Sequence, residues 1–256
     1  LPFEQHRDIF HLTGIDQEET ILLLYPPSKD DKTREILFIR KSDNHTKVWE
    51  GEKLSKKQAN ELSGIDSIYF IDDFKDILSS IATKVDTFYI NKNEHYRANS
   101  PVETREDRFI SWLLKKYPAH NVAKSNPILQ RQRSIKHPDE IDQIKKACDI
   151  TRKGFNRVLE FIKPNVWEYE IEAEFIHEFI NSSSKGFAYS PIIASGNDNN
   201  VLHYIKNNKQ CKSGELILMD VGAEYGNYSS DMTRTVPVSG KFSKRQKEIY
   251  NAVLRV

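Results

Sequence analysis

The chain has 256 residues, enough for one large domain or two ordinary ones, and we expect two. Lysine and arginine (38) nearly balance aspartate and glutamate (37), and basic residues are scattered, which argues against a nucleic-acid-binding surface. The only cysteines, Cys148 and Cys211, favour neither a disulfide framework nor a thiolate metal site, and no apolar run is long enough to span a membrane, so we expect a cytoplasmic protein without a membrane segment.

The first part of the chain, residues 1–133, alternates strand-like runs with helical patterns, which is typical of an α/β domain. The predicted strands are residues 20–25, 35–40, 67–71 and 87–90. The predicted helices are residues 55–62, 74–83 and 105–117, in which apolar residues recur every three or four positions. Residues 118–133 are irregular in sequence, and no element is predicted there.

A new pattern begins in residues 134–256, where Pro138 stands at the first turn of a predicted helix. A second helix is predicted to begin with Asn165 as its N-cap and Glu168 as the capping-box partner three residues later. Strands around residues 192 and 216–223 follow, and a further strand runs through the Thr-Arg-Thr-Val segment. Helices that lead into antiparallel strands indicate an α+β second domain.

Two aspartates, Asp220 and Asp231, are the most informative residues of the second domain. Asp220 ends an apolar run, and a turn centred on Tyr225 and Gly226 would make a hairpin in which the two aspartates lie directly opposite each other. Their Cβ atoms would then be ~5 Å apart on one face. Because like charges repel and strands disfavour aspartate, this arrangement indicates a cation between the carboxylates.

The neighbours of the aspartates fit a metal site. Thr233 shares the face of Asp231 and can orient its carboxylate by a hydrogen bond, and Gly222 leaves room for a metal, a water molecule or substrate. Hard oxygen ligands favour Mn, Mg or Ca, although mixed carboxylate and imidazole sites also bind Zn, Co or Fe. Spacing alone leaves open that the aspartates are merely exposed at strand ends or bonded to Arg234.

His203 is the second candidate for chemistry. It follows a loop rich in Gly, Asn and Asp, which would place the imidazole at the edge of a strand, facing a cleft. A lone histidine beside apolar residues is more often a structural side chain than a catalytic one.

Several segments, in this order along the chain, resemble the proline-specific metallopeptidases Xaa-Pro aminopeptidase (aminopeptidase P) and prolidase. They are residues 189–204, 218–225, 231–235 and 240–243. Residues 135–141 resemble the start of that family's catalytic domain, and residues 2–14, from Pro2 onward, resemble its amino-terminal domain. The resemblance therefore spans the whole chain.

The resemblance implies a creatinase-like amino-terminal α/β domain and an α+β pita-bread catalytic domain around two divalent metal ions, usually Mn²⁺, with Zn²⁺ or Co²⁺ as alternatives. Asp220 and Asp231 match the two aspartate ligands of the family. His203 matches the histidine that contacts the scissile carbonyl, and Tyr189 lies where a tyrosine of the substrate pocket is expected. Family members often form dimers or tetramers, so a homo-oligomer is expected as well.

The remaining ligands of the family, one histidine and two glutamates, are expected beyond Val256. Because the chain begins at Leu1 without methionine and stops within a helical pattern, we expect it to be part of a longer polypeptide, with only the first half of the pita-bread domain and no activity of its own. The expected activity of the intact protein is release of the N-terminal residue from peptides with proline in second position. Alternatives are a prolidase that cleaves Xaa-Pro dipeptides and a non-catalytic pita-bread binding module.

Overall fold

A computed structural model describes residues 3–91 and 102–256, so that Pro2 of the amino-terminal motif lies outside the described residues. The chain divides into two compact units, Leu1–Ile135 and Lys136–Val256. Within the described ranges, no helix combines the length and the apolar character that crossing a membrane requires.

The first unit contains a three-stranded sheet in the order β1-β2-β3 and a parallel pair, β4-β5. Its strands are β1 (Ile21–Leu24), β2 (Glu35–Ile39), β3 (Ser67–Phe70), β4 (Thr87–Ile90) and β5 (Asn121–Lys124). The helices described in it are α1 (Arg7–Thr13), α2 (Asp31–Arg34), α3 (Asn44–Glu50), α4 (Lys56–Ser63), α5 (Phe74–Ala82), α6 (Arg105–Lys116) and α7 (Asn126–Ser134).

The central strand β2 is buried on both faces. Ile36 and Phe38 pack into a cluster with residues of α5 and α6, whereas Leu37 and Ile39 pack into a second cluster on the other face. β2 pairs antiparallel with β1 and parallel with β3. The predicted α/β character of this unit is therefore confirmed.

Two elements of the first unit, β5 and α7, lie in the stretch 118–133, where no element was predicted. β5 is a mostly exposed four-residue strand that pairs with β4, so it carries no apolar pattern of its own. α7 begins with a proline in its first turn, a helix-start signal that could have been recognised.

The second unit is built from three α-helices, the 3₁₀ helix Gly196–Asn200 and five strands within the described residues. The helices are α8 (Pro138–Phe161), α9 (Glu168–Asn181) and α10 (Lys244–Leu254). The strands are β6 (Ile192–Ser195), β7 (Leu216–Val221), β8 (Glu224–Tyr225), β9 (Tyr228–Ser229) and β10 (Met232–Pro237). β10, β7 and β6 form an antiparallel sheet in that order, and β8 and β9 form a short hairpin, so the predicted α+β arrangement is confirmed.

The start of α8 agrees with the prediction, whereas the start of α9 does not. The N-cap of α9 is Trp167, and Glu170 is the residue that reaches back to the cap. Asn165, the predicted cap, lies two residues earlier in a left-handed conformation with φ 76°. Glu168, the predicted capping-box partner, is instead the first helical residue and is completely buried.

The central strand β7 separates the core from the candidate site. Ile217, Met219 and Val221 are fully buried among residues of α8 and α9. Because side chains alternate along a strand, Leu218 and Asp220 point to the opposite face of the sheet. The sheet thus carries Asp220 on the face that the two helices do not cover.

Candidate metal centre

The hairpin that joins the two aspartates turns at Gly226 and Asn227, whose φ angles are 58° and 65°. Positive φ at both central residues is the type I′ geometry that matches the twist of paired strands. Tyr225 therefore pairs with Tyr228, and the turn lies one residue later than predicted.

This register corrects the predicted placement of the aspartates. Asp220 pairs with Thr233, not with Asp231, so the prediction of two directly opposed aspartates is wrong. Moving the turn by one residue moves the partner by two, and side chains alternate with a period of two. Asp231 therefore remains on the same face as Asp220, but it lies two residues closer to the turn than Thr233, the partner of Asp220.

Gly222 marks a close approach of the two chain segments. A Cβ atom at this position would lie 1.9 Å from the carbonyl oxygen of Ser230 and 3.0 Å from Cε1 of Tyr189. The space beside Gly222, which was expected to hold a metal or substrate, is therefore filled by the backbone of the residue that precedes Asp231.

A pair of buried hydroxyl groups fixes that backbone. Thr151 on α8 and Ser230 lie with their hydroxyl oxygens 2.7 Å apart, and both accept from the N–H of Ala223, at 2.9 and 3.0 Å. Ser230 N–H in turn donates to the carbonyl of Ala223. These residues were not predicted as part of the site, although a threonine on the apolar face of α8 was a visible signal.

Tyr189 brings the two carboxylates together. Its hydroxyl lies 2.6 Å from Oδ1 of Asp220 and 3.3 Å from Oδ1 of Asp231. Burial, together with the adjacent Asp220 carboxylate, raises the pKa of Tyr189, so the hydroxyl stays protonated and acts as a donor. A phenol has one proton, and the shorter distance assigns it to Asp220.

The other residues near the aspartates make different contacts. Thr233 is exposed and lies opposite Asp220, and the hydroxyl that meets Asp231 belongs to Tyr189. Arg234 donates to the carbonyl oxygen of Thr233 at 2.7 Å, not to a carboxylate.

His203 lies in an exposed turn that follows the 3₁₀ helix Gly196–Asn200, which corrects its predicted position at a strand edge. The next residue, Tyr204, is buried and anchors the turn. Across the part of the chain that the structure describes, no three His, Cys, Asp or Glu side chains cluster in a way that could hold a metal ion. His203 therefore does not join Asp220 and Asp231 as a third ligand.

The donor set fits part of a divalent-cation site. Two carboxylates supply hard oxygen ligands. Oδ1 of each aspartate contacts the Tyr189 hydroxyl, and Oδ2 of each makes no hydrogen bond with that hydroxyl. Two ligands alone do not complete the coordination shell of such a cation, so further ligands are required.

Both parts of the chain are similar to known protein families. The model of the aminopeptidase P N-terminal domain matches residues 1–89, and that of metallopeptidase family M24 matches residues 142–256. The Xaa-Pro aminopeptidase of Escherichia coli is 31% identical over 99% of this chain and 57% of the relative, and the human Xaa-Pro aminopeptidase 3 is 30% identical over 99% and 50%. The matched segments and these relatives support assignment to the Xaa-Pro aminopeptidase family.

Solved structures of the family share the fold as well. The E. coli aminopeptidase P in its low-pH form superimposes with a TM-score of 0.87 at 30% identity, over all of this chain and 58% of the other. A zinc-substituted form of that enzyme, in complex with product, gives a TM-score of 0.86. These matches confirm the predicted creatinase-like domain followed by pita-bread structure, and the chain spans about half the length of the curated relatives that it matches.

Proposed function

We propose that the protein to which this chain belongs is a metal-dependent Xaa-Pro aminopeptidase, which releases the N-terminal residue from peptides with proline in second position. The observation that supports this most directly is the convergence of Asp220 and Asp231 on the hydroxyl of Tyr189. The similarity of the chain to Xaa-Pro aminopeptidases supports the same activity.

In this proposal Asp220 and Asp231 are metal ligands for two divalent cations, with Mn²⁺ as the first choice and Zn²⁺ or Co²⁺ as alternatives. When bound, the cations would polarise the scissile carbonyl and lower the pKa of the attacking water. Tyr189 holds the Asp220 carboxylate in one orientation, and its contact with substrate stays a prediction. Thr233 stays a prediction as a residue that supports the ligands.

The exposed His203 would donate to the carbonyl oxygen that precedes proline, where negative charge develops during attack. Substrates of this kind need a dedicated site because the bond before proline lacks the N–H that general peptidases bind.

We also propose residues 1–133 and 134–256 as the two domains. The protein is proposed to be a cytoplasmic homo-oligomer, either a dimer or a tetramer.

The test uses the full-length protein that carries this sequence, stripped with a chelator and reloaded with Mn²⁺. We expect cleavage of a tripeptide with proline second, and near-complete loss of that cleavage in Asp231→Asn but not in the exposed control Asp142→Asn. Failure to cleave the tripeptide, alongside efficient cleavage of Xaa-Pro dipeptides, would favour the prolidase alternative. Binding of such peptides without any hydrolysis would favour the non-catalytic module.

A second variant separates the role of the histidine from that of the ligands. His203→Ala should lower turnover while leaving the bound metal unchanged, because His203 does not cluster with the aspartates. Loss of metal from this variant would contradict the proposed role.

A further inference from the structure

Glu168 is a completely buried carboxylate outside the candidate metal centre. Its described partners are neutral hydrogen-bond donors. Oε1 accepts from the N–H and the hydroxyl of Ser195, at 2.8 and 2.7 Å. Oε2 accepts from the hydroxyl of Tyr204 at 2.8 Å and from the N–H of Lys209 at 2.9 Å. All of these bonds are made to a charged acceptor, which makes them stronger than bonds between neutral groups.

The two oxygens of Glu168 hold opposite ends of one segment. Oε1 binds Ser195, the last residue of β6, directly before the 3₁₀ helix. Oε2 binds Tyr204, which directly follows His203, and Lys209, which lies further along the chain. A single carboxylate thus binds both ends of the segment that carries His203. This closure limits the conformations that the turn can adopt.

Two further features support the closure. Glu168 is the first residue of the 14-residue helix α9, where the helix dipole stabilises a negative charge. Burial and the neighbouring Glu168 carboxylate raise the pKa of Tyr204, which keeps its hydroxyl protonated as a donor. Asn207 adds an anchor between Tyr204 and Lys209, since its side chain accepts from Ile193 N–H at 3.0 Å.

We propose that Glu168 is a positioning residue that holds the turn of His203 in the orientation required for the reaction. This inference rests on the proposed function, because it assumes that His203 acts on the substrate. Glu168 itself is buried and would act only through the segment that it holds.

Glu168→Gln is the appropriate perturbation because it keeps the volume of the side chain. An amide presents one oxygen and one NH₂ group, so either the N–H of Ser195 or the N–H of Lys209 must face another donor. One end of the segment is then released. The matched control is Glu178→Gln on the same helix, where the carboxylate accepts from Ser182 at 3.3 Å and lies away from the segment.

The first measurement is a double-mutant cycle on kcat/KM in the full-length enzyme. We expect Glu168→Gln to lower kcat by about 10-fold to 100-fold with a much smaller change in KM, as a displaced catalytic group does. In the His203→Ala background the same substitution should cost less than about two-fold, because the group that it misplaces is already absent. Equal losses in both backgrounds would overturn the proposal.

The second measurement is independent of activity. Amide hydrogen exchange in residues 196–209 should accelerate about ten-fold or more in Glu168→Gln, with no change in the Glu178→Gln control. Unchanged exchange in this segment would also overturn the proposal. If the wild-type enzyme cleaves no Xaa-Pro peptide, the proposed function fails, while the exchange experiment still decides whether Glu168 holds the segment.

A milder variant covers the case in which Glu168→Gln does not fold. Tyr204→Phe removes one donor to Oε2 and leaves the carboxylate with its other three bonds. It should give a smaller loss of kcat with the same dependence on His203, and an effect that persists in His203→Ala would count against the mechanism.

Discussion

Replacing Gly222 by alanine tests the close approach on which the aspartate pair depends. The new Cβ would lie 1.9 Å from the Ser230 carbonyl oxygen, so the backbone must move by about 1 Å or more in a close-packed interior. Ser230 cannot move freely, because its hydroxyl contacts that of Thr151 and its N–H donates to Ala223. Overpacking and lost buried hydrogen bonds together should cost about 3 kcal/mol or more.

The measurement is the free energy of unfolding of the metal-free, full-length protein, from urea titration, with the thermal midpoint as a second readout. A loss of about 3 kcal/mol corresponds to a fall of roughly 6–12 °C in the thermal midpoint of a domain of about 150–250 residues. Gly240→Ala is the matched control, because Gly240 has φ 77° and a Cβ there meets nothing within 4 Å. Only backbone conformation opposes that change, at about 1 kcal/mol. A Gly222→Ala protein as stable as the control would refute the proposed approach of the two segments.

Other expectations follow from the same contacts. Asp231→Asn should leave the metal-free protein at least as stable as wild type, because it removes one of two like charges; a fall of several degrees in its thermal midpoint would contradict this. Tyr189→Phe should cost about 2 kcal/mol in urea unfolding, because Asp220 loses a charged hydrogen bond; unchanged stability would argue against that bond. Burial raises the pKa of Cys211 to about 11. At pH 8, only the exposed Cys148 should therefore react quickly with a thiol reagent. The stability that neutral Cys211 contributes should be lost as the pH rises from about 9 through 11. Two fast thiols in the native protein would contradict the burial of Cys211.

Elements with an apolar face could be predicted from the sequence. Elements that depend on hydrogen bonds to other segments could not. Strand β2 is buried on both faces and reads as a continuous apolar run. Strand β5 is mostly exposed and is a strand because β4 supplies its hydrogen bonds. The cap of α9 was mispredicted because Glu168, three residues after Asn165, matches the capping-box spacing while its carboxylate is used elsewhere.

The error in the hairpin register has a physical explanation. A type I′ turn needs positive φ at both central residues, which glycine and asparagine tolerate and tyrosine does not. Gly226-Asn227 was therefore a better choice of turn than Tyr225-Gly226, and the rule was available from the sequence. The contact of the Tyr189 hydroxyl with both carboxylates was not available, because Tyr189 belongs to a distant segment that tertiary structure brings to the sheet.

The arrangement of the carboxylates is unfavourable without a cation, and this bears on function. Two carboxylates that converge on one hydroxyl repel each other, and the single proton of Tyr189 can bond to only one of them at a time. The close packing of Gly222 against Ser230 and the hydroxyl pair with Thr151 hold Asp231 in place despite this cost. A surface that only bound another protein would gain nothing from holding two like charges together. In a site that binds divalent cations, the bound metal removes this repulsion. Asp231→Asn should therefore leave the metal-free protein at least as stable as wild type while it lowers the affinity for metal.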